Sequence, residues 1–302
     1  PAPTVTAAPT APTPAPTCGD VFFYARLVAA AEDAECVAAA DVDGDGHQDV
    51  LWSTEDGFGQ VAWSQNDGAM SFSVRIVNAA ASYAEAVAGA DIDGDADVDL
   101  VVATWNHEQV AWYENEAQSF TVHDIESDFE GGFTTANDVY PVDVDSDQDM
   151  DVLASSRSQD AVVWLENDGS ESFSTRSITT TSAGNVAVVA ADVDGDGDVD
   201  VLAAAEGHHN HTSAAREGME VSCFLNDGAE SFSFFLVDGS MERPSDVAAA
   251  DVDGNGEIDV LASSSYGELV SWYERSGSAF TEHVVAADAD HVVSIVAADV
   301  DG

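Results

Sequence analysis

The sequence predicts an all-β protein, a β-propeller built from four-stranded blades. An acidic loop, first present as Asp41-Val-Asp-Gly-Asp-Gly-His-Gln-Asp49, recurs from Asp91, Asp143, Asp192, Asp251 and Asp299. The shortest interval, from Asp251 to Asp299, is 48 residues, and the longest, from Asp192 to Asp251, is 59. Such a period is typical of repeat proteins whose units bury their apolar faces against each other. Each repeat holds four strand-like segments and lacks the 3.6-residue apolar period of helical solenoids.

The first 17 residues differ in composition from the rest. They are rich in Pro and Thr and carry no charged side chain, a composition that favours an extended polyproline II conformation and cannot form a core. Residues 1–17 are therefore predicted to be a linker or stalk, either O-glycosylated or an unmodified tether. Residues 18–302 are predicted to form the propeller repeats, five complete and a sixth truncated.

The segment from Val21 to Val28 matches the fourth strand of a blade. Its sequence, Val-Phe-Phe-Tyr-Ala-Arg-Leu-Val, precedes the first strand of the first repeat. An N-terminal strand of this kind would complete the last blade and close the ring, which removes exposed sheet edges.

The four strands of a repeat have distinct sequences. The first consists of small residues, as in Val37-Ala-Ala-Ala40, which predicts close packing of inner strands around a crowded axis because Ala is a poor strand former. The second reads Asp-Val-Leu-Ala-Ser or a near copy. The third carries an aromatic residue and ends in a tight turn such as Asn66-Asp-Gly68. The fourth begins at a Phe in every repeat: Phe72, Phe120, Phe173, Phe232 and Phe280.

The acidic loop has the chemistry of a calcium site. Carboxylates at loop positions 1, 3, 5 and 9, with a main-chain carbonyl expected at position 7, match the six to eight oxygens that Ca²⁺ takes at about 2.3–2.6 Å. The spacing is similar to the start of an EF-hand loop, but no helical pattern flanks it and the Glu at position 12 is missing.

These loops, placed inside β-rich units of about 50 residues, resemble the FG-GAP/VCBS repeats of integrin-α-like β-propellers. The resemblance implies a propeller, most often of seven blades, with one Ca²⁺ held between the first two strands of each complete repeat. The implied ligands are Asp41, Asp43, Asp45, the carbonyl of His47, and Asp49 in the first loop; Asp91, Asp93, Asp95, the carbonyl of Asp97, and Asp99 in the second; Asp143, Asp145, Asp147, the carbonyl of Asp149, and Asp151 in the third; Asp192, Asp194, Asp196, the carbonyl of Asp198, and Asp200 in the fourth; and Asp251, Asp253, Asn255, the carbonyl of Glu257, and Asp259 in the fifth.

Position 6 of the loop departs from Gly in two repeats, where it is Ala96 and Gln148. If this position requires a positive φ, each of these side chains costs about 1 kcal/mol. The second and third sites are therefore expected to bind calcium more weakly than the others.

The charge of the chain agrees with cations as ligands. There are 58 acidic residues against 7 basic ones, all Arg, and the formal net charge is −51. This balance argues against nucleic acid and anionic membrane surfaces as partners, and no apolar run reaches the about 20 residues of a membrane span. No catalytic motif is present, and features copied five times seldom catalyse a reaction, so we expect a protein that is not an enzyme.

Four further features point to an extracellular protein or to surface positions. The insertion in the fourth repeat contains His208-His-Asn-His211, interpreted as a solvated loop, and the sequon of a predicted glycosylation site at Asn210. By elimination, Cys18 and Cys36 are predicted to form a disulfide, with Cys223 a buried free thiol. The side chains three residues after four of the five repeat Phe residues (Arg75, His123, Arg176 and His283) are predicted to share an outward face.

The predicted stalk, the sequon, the acidic composition and the acidic loops together predict a secreted, calcium-stabilised glycoprotein that acts as a structural or cell-adhesion module. One version of this prediction is a subunit of an assembly or filament. The expected partners are extracellular proteins or glycans, or further copies of the chain. Two alternatives stay open. One is a lectin-like propeller that binds glycans between blades, using Trp52 or Trp105; the other is an accessory domain of a larger extracellular enzyme.

Overall fold

The structure is a computed structural model and describes residues 28–29, 34–54, 59–69, 71–105, 110–125, 135–207 and 218–298. The regular secondary structure in these ranges is entirely β-strand, arranged as five four-stranded sheets. No helix in these ranges is long and apolar enough to cross a membrane.

Each sheet is one blade, formed by one sequence repeat. Blade 1 consists of β1 (Ala34–Ala40), β2 (Asp49–Thr54), β3 (Val61–Asn66) and β4 (Phe72–Asn78). Blade 2 consists of β5 (Ala84–Ala90), β6 (Asp99–Thr104), β7 (Val110–Glu116) and β8 (Ser119–Ile125). Blade 3 consists of β9 (Asp138–Val142), β10 (Asp151–Ser156), β11 (Ala161–Asn167) and β12 (Phe173–Thr179). Blade 4 consists of β13 (Asn185–Ala191), β14 (Asp200–Glu206), β15 (Met219–Asn226) and β16 (Phe232–Asp238). Blade 5 consists of β17 (Pro244–Ala250), β18 (Asp259–Ser264), β19 (Leu269–Ser276) and β20 (Ala279–Ala286).

Within every blade the strands pair in sequence order and antiparallel. The acidic loop therefore joins the first and second strands, and the turn after the third strand lies at the same end of the blade. The other two connections lie at the opposite end. The predicted class, an all-β propeller of four-stranded blades, is confirmed.

The apolar core lies between blades rather than within them. One cluster joins Leu51 and Trp63 of blade 1 to Val87 and Leu100 of blade 2, and three similar clusters join the following pairs of blades. The indole rings of Trp63, Trp112 and Trp164 are each 1% exposed. A single repeat could not bury these side chains alone, which is why the architecture needs tandem copies.

The first strands of consecutive blades pack closely along the axis, and this explains their small residues. A Cβ added to Gly89 would lie only 2.8 Å from the Cβ of Ala40 on the neighbouring blade. The predicted inner position of the Ala-rich strands is therefore confirmed, and it requires small side chains for steric reasons.

At the end of the axis opposite the acidic loops, the first strands line a cavity of about 520 Å³ that contains Asp138 and Asp246. Asp138 accepts the N–H of Val188 on the next blade at 2.9 Å, and Asp246 accepts the N–H of Ile295 at 2.8 Å. Burial raises the pKa of Asp138 to about 7, an effect that the amide of Val188 opposes and Asp246 reinforces. Burial also raises the pKa of Asp246.

The described ranges contain five blades, followed by residues 292–298, which lie against β17 through Ser245 and Asp246. The predicted linker 1–17 and most of the predicted closing strand, up to Leu27, fall outside these ranges, as do Asn210 and the His208–His211 segment. A total of seven blades stays a prediction.

The predicted disulfide between Cys18 and Cys36 stays a prediction. Cys36 carries a free thiol, and its Sγ donates to the carbonyl oxygen of Val87 at 3.7 Å. The side chain packs between blades, and burial raises the pKa of its thiol to about 11. Cys18 itself lies outside the described residues. Cys223 is fully buried with a free thiol, as predicted.

Candidate calcium centre

The acidic loops pack against the turns that follow the third strands. A Cβ on Gly68, Gly169 or Gly228 would overlap the position 7 side chain of the loop in the same blade, which is His47, Asp149 or Asp198. These glycines also have φ of about +70°, at which a side chain is strained. Glycine in the Asn-Asp-Gly turn is therefore required both by conformation and by the approach of the acidic loop.

The carboxylates of positions 1, 3 and 9 converge in the first four loops. In each of them one oxygen from every member lies within 4.8 Å of the others; the sets are Asp41, Asp43 and Asp49; Asp91, Asp93 and Asp99; Asp143, Asp145 and Asp151; and Asp192, Asp194 and Asp200. Oxygens bound to one Ca²⁺ at about 2.5 Å can be at most about 5 Å apart. The spacing of these oxygens therefore fits a shared calcium ion.

Position 1 and position 5 carboxylates shape the loop. Asp41 accepts the N–H groups of Asp45 and Gly46 at 3.1 and 2.8 Å. The side-chain oxygen at position 5 accepts the N–H of position 7 in all five loops, at 2.6–3.0 Å. Each loop is therefore folded by its own acidic side chains into the form that presents positions 1, 3 and 9 together.

An unsatisfied oxygen supports a cation in the first loop. Oδ1 of Asp43, at position 3, is buried and has no hydrogen-bond donor. A buried carboxylate oxygen without a donor is costly, and a hard cation would compensate it. The residues present thus fit Ca²⁺ in both donor chemistry and placement.

The position 9 aspartates connect the loop to the sheet. The five side chains, Asp49, Asp99, Asp151, Asp200 and Asp259, are at most 1% exposed. In each, Oδ2 accepts the N–H of position 2 at 2.8–3.1 Å, and Oδ1 accepts an N–H at the end of the third strand at 2.7–2.8 Å. The sequence analysis treated this residue only as a ligand, whereas it also ties three strands of the blade together.

Burial raises the pKa of Asp49, Asp99, Asp151 and Asp200. The pKa of Asp151 rises to about 7, and those of Asp99 and Asp200 rise to about 6. The accepted N–H bonds oppose the shift, and the carboxylates at positions 3 and 5 add to it in Asp99. A bound cation would reverse the effect of these neighbouring charges and hold the group ionised.

Asparagines at the end of the third strand connect neighbouring blades. Nδ2 of Asn115 donates to the carbonyl of Val42 in the previous loop at 3.0 Å, and Nδ2 of Asn167 donates to that of Ile92 at 3.0 Å. Asn226 makes the equivalent contact with Val144 at 3.5 Å. In blade 5 Arg275 takes this place and donates to the carbonyl of Asp194 at 3.1 Å. The signal available in the sequence was the recurrence of Asn at the end of the third strand.

Position 6 has a positive φ in all five loops, so the condition for strain at Ala96 and Gln148 is met. Their φ values are 76° and 78°, and Gly46, Gly197 and Gly256 have 88°, 99° and 88°. Position 4 also has a positive φ, and in the third loop it is Ser146 at 64°. The third loop therefore carries two strained residues, one more than the sequence analysis anticipated.

The family of the chain follows from a family model of FG-GAP-like repeats, which matches residues 41–102, 91–154 and 143–203. The chain belongs to the FG-GAP-like repeat family. Each match begins at position 1 of one acidic loop and runs past position 9 of the next. No curated protein matches the chain in sequence.

Comparison with solved structures supports the fold. A chain in the "Crystal structure of Nidogen/Laminin Complex" aligns with a TM-score of 0.55 over 82% of this chain and 78% of that chain, at 11% sequence identity. At this identity the similarity concerns the fold alone, a β-propeller.

The predicted outward face of the fourth strands is only partly solvated. The ring of His123 stacks on Trp112 with centroids 4.6 Å apart, and His283 stacks on Trp272 at 4.4 Å. Arg176 lies over the ring of Trp164 at 5.0 Å. These three side chains pair with Glu114, Glu274 and Glu166 of the third strand. They lie over these indoles because they stand opposite them across the strand pair.

Proposed function

We propose that the chain is a calcium-stabilised, non-enzymatic propeller module of an extracellular structural or adhesion protein. The observation that carries the proposal is the convergence of three carboxylates in each of four acidic loops. Extracellular calcium modules commonly bind the ion with dissociation constants of about 10⁻⁴–10⁻³ M, concentrations at which such loops would be loaded outside the cell.

The position of the loops supports a structural role for the ion. Position 9 joins the loop to the third strand, and the residue at the end of that strand reaches the loop of the previous blade. A cation among positions 1, 3 and 9 would thus stabilise the contact between blades as well as the loop. It would also reduce the repulsion among the acidic side chains of a chain with a net charge of −51.

The proposed partners are other proteins or further copies of the chain. The similar fold in a nidogen/laminin complex supports the view that a propeller of this kind can take part in a protein complex. The uncharged Pro/Thr-rich segment 1–17 would serve as the extended arm that joins the propeller to its neighbour.

Calcium titration by calorimetry, together with light scattering, tests the proposal. We expect about one ion per complete loop, loss of one ion in an Asp194→Asn variant, and an assembly larger than one chain. The matched control is Asp227→Asn, which changes an exposed turn carboxylate of the same blade. Absence of calcium binding contradicts the calcium assignment, and a monomer in calcium contradicts the assembly.

A glycan-binding role is a second candidate, supported by one aromatic pair at the end opposite the acidic loops. Trp105 is 48% exposed, and its ring centroid lies 6.0 Å from that of Tyr83. Trp52, the other candidate, is only 7% exposed and donates its indole N–H to Ser64, which leaves little surface for a sugar. A glycan array with the chain and its Trp105→Ala variant tests this role, since binding lost in the variant would support it and an array without binding would reject it.

A further inference from the structure

Four of the five blades share a side-chain arrangement that blade 4 lacks. In blades 1, 2, 3 and 5 the third strand carries a Trp, and the fourth strand places an Arg or His opposite it; the pairs are Trp63 with Arg75, Trp112 with His123, Trp164 with Arg176, and Trp272 with His283. A Gln or Glu two residues after the Trp completes the set. These four blades therefore show which side chains normally fill this position.

Blade 4 replaces all three members with uncharged residues. Cys223 stands at the Trp position, Phe235 is its partner across the strand pair, and Leu225 replaces the acidic side chain. The substitution is coordinated, because a polar residue facing an unfilled apolar space would be costly. It removes an indole ring from the contact between blades 4 and 5.

A cavity of about 310 Å³ lies at this position between the two blades. The corresponding cavity between blades 3 and 4, of about 430 Å³, is lined by Trp164 and by Asp145, Asp147 and Glu230, so the substitutions in blade 4 make the lining more apolar. Its walls include Cys223, Leu225, Phe235, Phe280 and Val193, and the Phe235 and Phe280 ring centroids are 5.7 Å apart. Cys223 is fully buried at the inner wall, whereas Gly277 and Ser278 are exposed at the mouth. Small-molecule sites start at about 300 Å³, and an apolar cavity of about 150 Å³ is known to bind benzene.

The lining favours a ring without negative charge. The aromatic walls offer edge and face contacts to a planar guest, the thiol of Cys223 offers a sulfur–aromatic contact, and Arg275 lines the cavity where its guanidinium could lie over a ring. Asp194 also lines the cavity, and the net charge of the chain is −51, which disfavours an anionic guest. The equivalent positions of the other blades hold a neutral indole.

We propose that the cavity between blades 4 and 5 is a binding site for a small, neutral, planar aromatic molecule of about the size of indole, which binds against the uncharged side chains of Cys223, Leu225 and Phe235 that distinguish blade 4. The cavity shares Asp194 with the fourth acidic loop, so binding is tested in the calcium-loaded chain, and it does not require any assembly of the chain. Its ligand would enter between Phe280 and the turn at Gly277.

Calorimetric titration of the calcium-loaded full chain with indole tests the site. We expect saturable binding of one equivalent and at least a tenfold loss of affinity in Cys223→Trp, which restores the ring that the other blades carry. Leu225→Glu, which introduces the Glu that blades 2, 3 and 5 carry at this position, should weaken binding to a similar extent. It replaces Cys223→Trp as the test if that bulkier variant does not fold. Leu236→Ala, an exposed position on the same fourth strand, is the control and should bind as the parent does.

Protection of Cys223 from chemical modification tests where the ligand binds. In a Cys18→Ser, Cys36→Ser background, saturating indole should slow the modification of Cys223 by methyl methanethiosulfonate by at least tenfold. Absence of saturable binding to the parent overturns the proposal. Unchanged affinity in a folded Cys223→Trp or Leu225→Glu variant, or an unchanged modification rate, overturns it as well.

Discussion

At the scale of single residues, the acidic loop depends on backbone conformation as much as on charge. Positions 4 and 6 have positive φ in every described loop, and a side chain in that region costs about 1 kcal/mol relative to Gly. The sequence predicted the carboxylate positions because they recur in register. It could not show that position 4 is also strained at Ser146, since only the backbone angles identify that requirement.

Replacing the strained residues with Gly should stabilise the protein. We expect Ala96→Gly and Gln148→Gly each to increase the free energy of unfolding by about 1 kcal/mol, measured by urea denaturation in calcium. Gly197→Ala is the matched control and should decrease it by a similar amount. An unchanged or lower stability in both Gly variants would show that strain at position 6 is relieved elsewhere.

Asp138 should make stability depend on pH. Its pKa of about 7 lies above the ordinary value of 3.8, so the folded state retains a proton that the unfolded state has lost. The contribution of this group to stability is therefore full below about pH 4 and is lost as the pH rises through about 7. We expect stability in saturating calcium to fall less between pH 4.5 and 7 in Asp138→Asn than in the parent. Equal pH profiles from urea unfolding would contradict the assignment.

At the scale of elements, the blade was predictable and the contact between blades was not. Strand order, the inner position of the small-residue strands and the acidic loop follow from patterns that repeat within about 50 residues. The bonds of Asn115, Asn167 and Asn226 reach carbonyls 73, 75 and 82 residues earlier in the chain. No local pattern identifies such a partner, because the blade placement decides which carbonyl is near.

Asn167 should stabilise the contact between blades 2 and 3. Its Nδ2 donates both to Ile92 in the previous blade and to Met150 in its own. We expect Asn167→Ala to lower the free energy of unfolding by about 1–3 kcal/mol, because two buried carbonyls lose a donor. Asn66→Ala is the control, since Asn66 donates to Gln48 of its own blade, and it should cost less. Equal losses in urea denaturation would argue against an inter-blade role.

At the scale of the whole molecule, the tandem architecture and the excess of acidic residues have opposite effects on stability. The apolar cores between blades stabilise the fold. The convergent carboxylates at one end of the blades destabilise it through charge repulsion and desolvation. Calcium bound as proposed would resolve this conflict in each loop. Cys36 lies between blades and its thiol donates to Val87, a position that spacing between cysteines could not indicate.

The melting temperature of the full chain in calcium and after chelation tests the central claim most directly. Calcium at ten times its dissociation constant adds about 1.4 kcal/mol per site, so the ions of several loops together should raise the melting temperature by about 10 °C or more. Excess chelator should abolish the increase, and added calcium should restore it. A melting temperature that does not change on chelation would contradict the view that calcium in these loops holds the blades together.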